Sequence, residues 1–235
     1  MLGGNLLSQK ISIAIDGPAG AGKSTIAKLL AQKLGSIYID TGAMYRAVAL
    51  QAVREGIDTQ DYKKIAQLVK DIQINMELNE TGQAIYLRNE NINHLIRTQE
   101  ISMGASNVAK VPEVRRKMME IQRKIAEQNN VVMDGRDIGT CVLPQAEVKI
   151  FLTASVDERA KRRYNELSLK GNCIITLKEV EEDIRFRDFN DTTRELAPLK
   201  AAEDAKIVDT TGKSINEVVD FILKEISILH KDKVE

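Results

Sequence analysis

The sequence of 235 residues has few of the side chains on which several kinds of catalytic site depend. It contains two histidines and two cysteines, and Cys141 and Cys173 lack the spacing of metal ligands. A zinc site or a histidine-based catalytic triad therefore has little material, and we interpret both cysteines as reduced thiols. Long apolar runs are also missing, since none approaches the ~20 residues that span a bilayer. The first residues lack the basic and apolar regions of a signal peptide, so we expect a cytoplasmic protein with no membrane partner.

The chain has no excess of charge of either sign. Its 34 Lys and Arg residues balance its 34 Asp and Glu residues, so the formal net charge is zero. Proteins that bind nucleic acid usually carry a basic surface, and we therefore expect no nucleic-acid partner. The apolar content of 43% and the charged content of 29% are ordinary for a globular protein. The length predicts one domain over residues 1–235, large enough to carry an insertion.

The sequence does contain a phosphate-binding loop at residues 17–24, which read GPAGAGKS and match the pattern G-x-x-x-x-G-K-[ST]. The apolar run at 11–15 before it is typical of a buried strand, and residues 25–34 after it have helical spacing. Glycines let such a loop wrap its N–H groups around a phosphate at the positive end of the helix. Lys23 would reach the β- and γ-phosphates, and the Ser24 hydroxyl would bind Mg²⁺. The predicted site for a nucleoside triphosphate, taken to be ATP, comprises Gly17, Pro18, Ala19, Gly20, Ala21, Gly22, Lys23, Ser24 and Thr25.

Short apolar strands and helices alternate along most of the chain. Strands are predicted at 37–40, 131–134, 148–152 and 206–209, and helices at about 43–55, 62–71, 98–109 and 112–128. Three capping boxes begin further helices at about 155, 176 and 214: Ser155 with Glu158, Thr176 with Glu179, and Ser214 with Glu217. This alternation predicts an α/β protein with the P-loop NTPase fold, in which a parallel β-sheet is flanked by helices. Ligands of such a sheet bind at the carboxyl ends of its strands.

Two segments depart from this alternation. Apolar and polar residues alternate at 72–78, and a second strand is predicted at 84–88, with turns at 79–82 and 89–91. This pattern predicts a small antiparallel meander within an inserted subdomain at 62–112. A loop at 169–173, between two predicted helices, could swing as part of a lid region at 158–190.

Charged residues follow two of the predicted strands. Asp134 closes one strand as a Walker-B acid does, and would hold Mg²⁺ through water beside Ser24; a strand-end cap is the alternative. Arg46 and Arg136 lie near strand ends, where planar guanidinium groups would bind a second phosphate in paired hydrogen bonds. Surface salt bridges are the alternative for each of these arginines.

A further set of arginines lies on or just after the helices that flank the loop at 169–173: Arg159, Arg162, Arg163, Arg185, Arg187 and Arg194. Arginines on a loop that closes neutralise charge on a transferring phosphoryl group and help to exclude water. Acidic residues are interleaved with this set, so a solvated pair of helices joined by salt bridges stays open as the alternative.

Several motifs, in order along nearly the whole chain, resemble those of the bacterial cytidylate kinases, a family of nucleoside monophosphate (NMP) kinases. They lie at 15–24, 40–46, 96–100, 111–115, 134–140, 187–188 and 191–194. The segments DTGAMYR at 40–46 and DGRDIGT at 134–140 are the most specific. The resemblance implies that the insertion is an NMP-binding subdomain. It also implies transfer of the γ-phosphoryl group of ATP to CMP and dCMP, giving CDP or dCDP and ADP, with Mg²⁺ as the cofactor, in pyrimidine nucleotide metabolism.

The same resemblance implies roles for individual residues. The CMP site would comprise phosphate ligands, base-reading residues and sugar contacts: Thr41, Arg46, Arg136 and Arg194; Ser106, Arg115 and Asp137; Arg187 and Asp191. The catalytic set would comprise the phosphate-loop lysine, two phosphate ligands and two lid arginines: Lys23, Arg136, Arg194, Arg159 and Arg163. A carboxylate such as Asp137 accepts a hydrogen bond from the cytosine N4 amino group but repels O4 of uracil, so we expect UMP to be a poor substrate.

Three other functions stay open on the sequence alone. A kinase for shikimate, UMP or AMP would share the phosphate loop, but the residues Ser106, Arg115 and Asp137 argue against it. A GTPase would normally carry an Asn-Lys-x-Asp motif, which does not occur here, and a nucleic-acid motor would carry a basic face. A protein that binds nucleotides without turnover is disfavoured by the intact phosphate loop and by Asp134. We expect a monomer whose small-molecule partners are ATP and CMP or dCMP.

Overall fold

A parallel sheet lies at the centre of the fold. In the computed structural model, which describes residues 10–79, 82–169 and 175–231, the strands are β1 (Ser12–Asp16), β2 (Ile37–Asp40), β3 (Ile74–Asn79), β4 (Gly82–Leu87), β5 (Glu90–Asn91), β6 (Val131–Gly135), β7 (Val148–Thr153) and β8 (Lys206–Asp209). One sheet has the order β2-β6-β1-β7-β8, and each neighbouring pair in it runs parallel. The carboxyl ends of these strands therefore meet at one edge of the sheet, where ligands of α/β proteins bind.

Helices connect these strands. They are α1 (Lys23–Leu34), α2 (Thr41–Arg54), α3 (Tyr62–Asp71), α4 (Gln99–Val108), α5 (Pro112–Gln128), α6 (Val156–Leu169), α7 (Leu177–Thr193) and α8 (Ile215–Lys231). A short π-helical turn at Ile138–Val142 follows β6 and was not predicted. Among the described residues, no helix is both long and apolar enough to span a bilayer.

Both faces of the parallel sheet are covered by helices. One face packs against α1 and α8 through residues that include Ile13, Val132 and Ile222. The other face packs against α5, where Val131 lies in one apolar cluster with Ala126. Because side chains alternate along a strand, the neighbours Val131 and Val132 point to opposite faces. The predicted parallel sheet flanked by helices is therefore confirmed.

The three remaining strands form the predicted antiparallel meander, in the order β3-β4-β5. Met76 pairs with Ile85 across β3 and β4, and Ile85 is buried in a core that also contains Met44 of α2. The predicted turn at 89–91 is wrong, because β5 begins at residue 90 after a turn in which Arg88 has a φ of 55°. A strand of two residues is too short to give an alternating pattern in the sequence.

Most predicted boundaries agree with the structure to within two residues. The three predicted helix starts are confirmed, since α6, α7 and α8 each begin one residue after the capping serine or threonine. The reciprocal capping box forms at Thr176 and Ser214, whereas the Ser155 N–H donates to the Thr211 hydroxyl and not to Glu158. Helix α2 begins at Thr41 rather than at about 43, because the Asp40 carboxylate accepts a hydrogen bond from the Ala43 N–H and caps the helix. The loop predicted at 169–173 lies outside the described residues except for its first residue. The extents 62–112 and 158–190 stay predictions.

Candidate active site

The phosphate loop lies between β1 and α1, as the sequence predicts. Gly17, Gly20 and Gly22 have φ angles of 146°, 77° and 86°. A Cβ at Gly17 would overlap the backbone oxygen of Leu152, and one at Gly20 would lie 3.0 Å from the Cβ of Arg159. Helix α1 begins after Gly22, which has no side chain to cap it, so its first N–H groups are available to an anion.

Lys23 is buried beside this loop and donates a hydrogen bond to the Pro18 carbonyl at 2.7 Å. Burial is the main cause that lowers the pKa of Lys23, and the positive charge of Arg136 lowers it further. The carboxylate of Asp134 opposes this shift. A bound triphosphate would oppose it more strongly, because an opposite charge at close range favours the charged form of the amine.

Asp134 occupies the end of β6 and joins three elements. Its Oδ2 accepts a hydrogen bond from the Ser24 hydroxyl at 2.8 Å, and its Oδ1 accepts one from the Tyr38 hydroxyl at 3.0 Å. Its backbone carbonyl accepts a third from the Thr41 hydroxyl at 2.7 Å. Burial raises the pKa of Asp134, as does the nearby carboxylate of Asp40.

Ser24 and Asp134 supply the oxygen ligands that Mg²⁺ prefers, beside the loop where phosphates would lie. Within residues 10–79, 82–169 and 175–231 no group of three or more His, Cys, Asp or Glu side chains could hold a metal ion. Mg²⁺ in kinase sites is commonly held by one or two protein groups together with substrate phosphates. The pair of residues therefore fits the ion that the sequence predicts.

Arginines and aspartates are paired in a second region of the site, on the side of the phosphate loop where α2 and α7 contribute residues. Asp40 pairs with Arg46 at 2.7 Å. Asp191 pairs with the Nε of Arg136 at 2.8 Å. These carboxylates are buried, and the guanidinium groups beside them hold the pKa values of Asp40 and Asp191 below the usual range despite the opposing effect of burial.

Asp137 lies between two arginines. One of its carboxylate oxygens contacts a terminal nitrogen of Arg115, and the other lies 3.4 Å from a terminal nitrogen of Arg194. Asp137 is 5% exposed, and each of its carboxylate oxygens therefore has an arginine as a partner inside the protein. Folding brings Ser106, which is distant in sequence, to the same part of the cleft, where its hydroxyl lies 3.4 Å from a carboxylate oxygen of Asp191.

Arg187 lines the same cleft but is not paired in this way. Its Nε is buried and has no hydrogen-bond partner among the described residues. Burial, and next the positive charge of Arg136, lower the pKa of Arg187 to about 10. A half-buried cation whose buried Nε lacks an acceptor is costly on its own and is a frequent feature of a ligand site.

One cleft of about 870 Å³ contains the phosphate loop at one end, called the donor end, and the paired arginines and aspartates at the other, called the acceptor end. Among the described residues that line it, eleven are Lys or Arg and six are Asp or Glu, although the whole chain is neutral. The cleft therefore concentrates positive charge where the chain as a whole has none. The predicted site residues that line it, other than the phosphate-loop residues, are Thr41, Arg46, Ser106, Arg115, Asp134, Arg136, Asp137, Arg163, Arg187, Asp191 and Arg194.

Arg159 has a position different from the one expected of a lid arginine. It is 4% exposed, and its guanidinium donates to the carbonyls of Ala154 and Ala19 at 2.9 and 3.0 Å and pairs with Asp188 at 2.6 Å. Arg159 therefore holds the phosphate loop through the Ala19 carbonyl and is not among the described residues that line the cleft. Arg163 does line the cleft, and pairs with Glu166 at 2.8 Å.

The predicted site omits several residues that the structure places at or beside the cleft. Arg162 lines it and donates to both the hydroxyl and the carbonyl of Thr210, at 2.9 and 2.7 Å. Thr210 directly follows β8, so the rule that strand ends carry the site could have identified it. Arg97 lies in the motif at 96–100 but has no predicted role, and its guanidinium is 3.5 Å from the Asp40 carboxylate. No sequence pattern identifies Tyr38, whose hydroxyl donates to Asp134, because a tyrosine in a strand is ordinarily interpreted as a core residue.

The parallel sheet, the phosphate loop and the arginine-rich end of the same cleft define a P-loop kinase. The family model described as cytidylate kinase matches residues 13–228. The chain belongs to the cytidylate kinase family, which confirms the resemblance drawn from its motifs.

Full-length relatives agree with this family. The cytidylate kinase of Caldicellulosiruptor bescii is 50% identical over 96% of this chain and 100% of the relative. That of Clostridioides difficile (strain 630) is 52% identical over 92% of this chain and 98% of the relative. That of Bacillus subtilis (strain 168) is 50% identical over 94% and 98% of the two chains.

Solved structures with a similar fold are far more distant in sequence. A gluconokinase from Sinorhizobium meliloti 1021 superposes with a TM-score of 0.50 at 14% identity, over 96% of this chain and 98% of that chain. An uncharacterized protein from Eubacterium ventriosum ATCC 27560 gives a TM-score of 0.52 at 14% identity, over 93% and 99% of the two chains. At such identity the likeness concerns the fold alone.

Proposed function

We propose that this protein transfers the γ-phosphoryl group of ATP to CMP, giving CDP and ADP, and accepts dCMP as a second acceptor. The observation that carries the proposal is that one cleft holds a phosphate loop at one end and the buried carboxylate of Asp137 at the other. The loop suits the donor triphosphate, and the carboxylate suits the amino group of cytosine. Both substrates can therefore meet in one enclosed space.

Base recognition depends on Asp137 in this proposal. Its carboxylate would accept a hydrogen bond from the cytosine N4 amino group, while Arg115 and Ser106 would donate to N3 and O2. The ion pair with Arg115 keeps Asp137 in place. Uracil presents an acceptor at the N4 position, so its O4 would face a carboxylate, and the two acceptors would repel each other and leave O4 without a donor.

The acceptor phosphate would bind to Arg46, Arg136 and Arg194, with Thr41 beside it. Each guanidinium has donors to spare, because an arginine offers five N–H groups and its aspartate partner uses only some of them. The buried Nε of Arg46, for instance, has no hydrogen-bond partner in the part of the chain that the structure describes. A phosphate can therefore join these pairs without breaking every contact.

The sugar would contact Arg187 and Asp191. The unsatisfied Nε of Arg187 would gain an acceptor, and Asp191 would accept from a hydroxyl. Because Asp191 also pairs with Arg136, a missing 2′-hydroxyl leaves the carboxylate with another partner. This arrangement supports the use of dCMP alongside CMP.

The chemical step needs positioning and charge neutralisation more than proton transfer, because the phosphate of CMP is already ionised near neutral pH. Lys23 would neutralise the transferring group from the donor side, and Arg136 and Arg194 from the acceptor side. Mg²⁺, held by Ser24 and through water by Asp134, would supply further neutralisation of the phosphates when bound. Arg163, on the lid side, would approach the phosphates on closure, and Arg159 would act by holding the loop that carries Ala19.

The remaining assignments are proposals of the same kind. We propose that the cofactor is Mg²⁺, that the protein acts as a monomer, and that it works in the cytoplasm in pyrimidine nucleotide metabolism. ATP and CMP or dCMP are its small-molecule partners.

The first test is ADP production from ATP and Mg²⁺ with CMP, dCMP, UMP, AMP and shikimate offered separately. We expect rapid turnover with CMP, somewhat slower turnover with dCMP, and kcat/KM lower for UMP by about 10²-fold, the value of one charged hydrogen bond and its unpaired partner. Turnover with another acceptor alone would reject the cytosine site while keeping the donor site. No acceptor-dependent turnover would reject the kinase proposal.

A further inference from the structure

The side chain of Gln83 joins the small antiparallel sheet to the edge of the parallel sheet. Its Oε1 accepts a hydrogen bond from the backbone N–H of Asp40 at 2.8 Å. Its Nε2 donates to the backbone carbonyl of Asp40 at 3.1 Å. The amide group thus pairs with the backbone of β2, an edge strand, as a neighbouring strand would.

Gln83 is itself held in place by a second amide side chain. Asn93 donates from Nδ2 to the backbone carbonyl of Gln83 at 3.0 Å, and its Oδ1 accepts from the N–H of Ile85 at 2.9 Å. Strand β4 is therefore fixed on one side by Asn93 and connected through Gln83 to β2. Both contacts satisfy backbone groups that would otherwise lie at a sheet edge.

Asp40, whose backbone Gln83 binds, makes several contacts at the acceptor end of the cleft. The Asp40 carboxylate caps α2 through the Ala43 N–H at 3.0 Å. The same carboxylate pairs with Arg46 at 2.7 Å and with Arg97 at 3.5 Å. A shift of the Asp40 backbone would therefore move both the start of α2 and the guanidinium groups that face the cleft.

We propose that Gln83 is a positioning residue for the acceptor phosphate, acting through Asp40 on Arg46 and Arg97. This inference depends on the proposed function, because it assigns the acceptor phosphate to Arg46. Gln83 is not among the described residues that line the cleft, so it acts without touching substrate. Among the described residues, the Lys23 and Ser24 side chains bond to Pro18 and Asp134, so neither donor-site side chain bonds to Gln83 itself.

The test compares Gln83→Met with Gln73→Met. Methionine has nearly the length of glutamine but neither donates nor accepts as an amide does. Gln73 is an exposed residue just before β3, and among the described residues only its backbone carbonyl takes part in a hydrogen bond, which it accepts from the N–H of Arg88. We expect Q83M to raise the KM for CMP about fivefold to tenfold, as the loss of a modest hydrogen-bonded contact predicts, with the KM for ATP unchanged. Q73M should match the wild type in both.

A second variant separates positioning from a general loss of stability. Gln83→Glu keeps the acceptor for the Asp40 N–H but places an acceptor against the Asp40 carbonyl. We expect its KM for CMP to rise at least as far as that of Q83M, because the two facing acceptors repel each other, while the KM for ATP stays unchanged in both variants. Exchange of the Asp40 amide proton, followed by NMR in the free protein, should accelerate in Q83M and much less in Q83E.

The outcomes distinguish this inference from the function on which it depends. If the wild type turns over CMP and Q83M has the same KM values and the same Asp40 exchange rate, the role of Gln83 is rejected and the proposed function stands. Equal increases in both KM values would also reject it, because the effect would not be confined to the acceptor end. If the wild type does not phosphorylate CMP, the proposed function fails first.

Discussion

The two ends of the cleft are built on different principles. The donor end comes from one continuous segment, residues 17–25, in which backbone groups and a single lysine face the ligand. The acceptor end is assembled from side chains on α2, α4, α5, α7 and the residues after β6. Arg46, Arg136 and Arg194 are paired there with buried aspartates in the absence of a ligand, whereas, among the described residues, Arg187 is not. The geometry of the donor end therefore depends on backbone conformation, and the geometry of the acceptor end depends on the pairing of charged side chains.

This difference explains how each end tolerates change. A backbone cradle fails when its φ angles or its close contacts are disturbed, as the contact between Gly17 and Leu152 indicates. A set of paired charges is expected to fail more selectively, because most of its side chains, Asp40 with its helix cap excepted, can be altered without moving a neighbour's backbone. Substitutions at the two ends should thus produce distinct kinetic patterns.

The largest effect is expected at the donor end, from Lys23→Met. The variant keeps the length of the side chain and removes the charge that would face the transferring phosphoryl group. We expect kcat to fall about 10²–10³-fold, the usual cost of removing one preorganised electrostatic contact, while CMP binding measured by calorimetry is nearly unchanged. Loss of CMP affinity to the same degree would contradict the separation of the two ends.

Lys28→Met is the matched control for this substitution. Lys28 lies on the same helix and lines the cleft, but its ammonium sits 5.6 Å from the ring centre of Tyr38 and is exposed. We expect less than about a threefold change in kcat, since exposed cation–π contacts contribute little.

At the acceptor end, Asp137→Asn should change specificity. Asparagine can turn its amino group toward the base, where it would suit O4 of uracil better than the amino group of cytosine. We expect kcat/KM for CMP to fall about 50-fold and the preference for CMP over UMP to shrink by a similar factor, with the KM for ATP unchanged. Steady-state kinetics with both acceptors measures this directly.

Asp191→Asn serves as the comparison for that substitution. Asp191 is also buried and paired with an arginine, but it is assigned to the sugar, which CMP and UMP share. Activity with both acceptors should decrease together, so the ratio between them should stay constant. A changed ratio in this variant would undermine the assignment of base reading to Asp137.

A smaller kinetic effect, on the KM for CMP, is expected from Arg187→Met, together with a gain in stability. The pKa of Arg187 is about 10 in the folded protein, below its ordinary value, so the charged form is disfavoured on folding at every pH below about 10. Removing that charge should raise the free energy of unfolding by about 1–3 kcal/mol, and raise the KM for CMP about tenfold. Chemical denaturation and kinetics on one preparation measure both.

Arg185→Met provides the control on the same helix. Arg185 is exposed and pairs with Glu181 at 2.6 Å, an arrangement that contributes little to stability. Neither the unfolding free energy nor the KM for CMP should change appreciably. A stability gain in this variant equal to that of R187M would show that burial of the Arg187 charge is not the cause.

The donor end could be predicted almost completely from the sequence, because its determinants are consecutive. Residues 17–24, a strand before them and a helix after them are a local pattern. The acceptor end was predictable only as a set of residue types and by resemblance, since Ser106, Asp137 and Asp191 are brought together by folding. Which arginine would pair with which aspartate is a property of three-dimensional distance that no spacing encodes.

Some features lay beyond sequence reasoning for a physical reason. Arg159 belongs to a helix with several arginines, and helical spacing does not show which of them turns inward to the Ala19 carbonyl. Gln83 lies in a strand whose pattern predicts its backbone, while its side-chain contact with Asp40 depends on how two sheets meet. The π-helical turn at 138–142 depends on Asp16, which accepts from the N–H groups of Ile138 and Gly139 at 2.8 and 2.7 Å.

The aspartates paired with the cleft arginines also bear on which anions the acceptor end should favour. An anion that enters it meets guanidinium groups whose charge is partly balanced by Asp40, Asp137 and Asp191. Free phosphate or sulfate would bind only through the N–H groups that these pairs leave over. A nucleotide adds contacts through its base and sugar that such ions lack, so we expect it to gain more from the same site. The internal carboxylates should thus lower the affinity for small anions relative to that for a nucleotide.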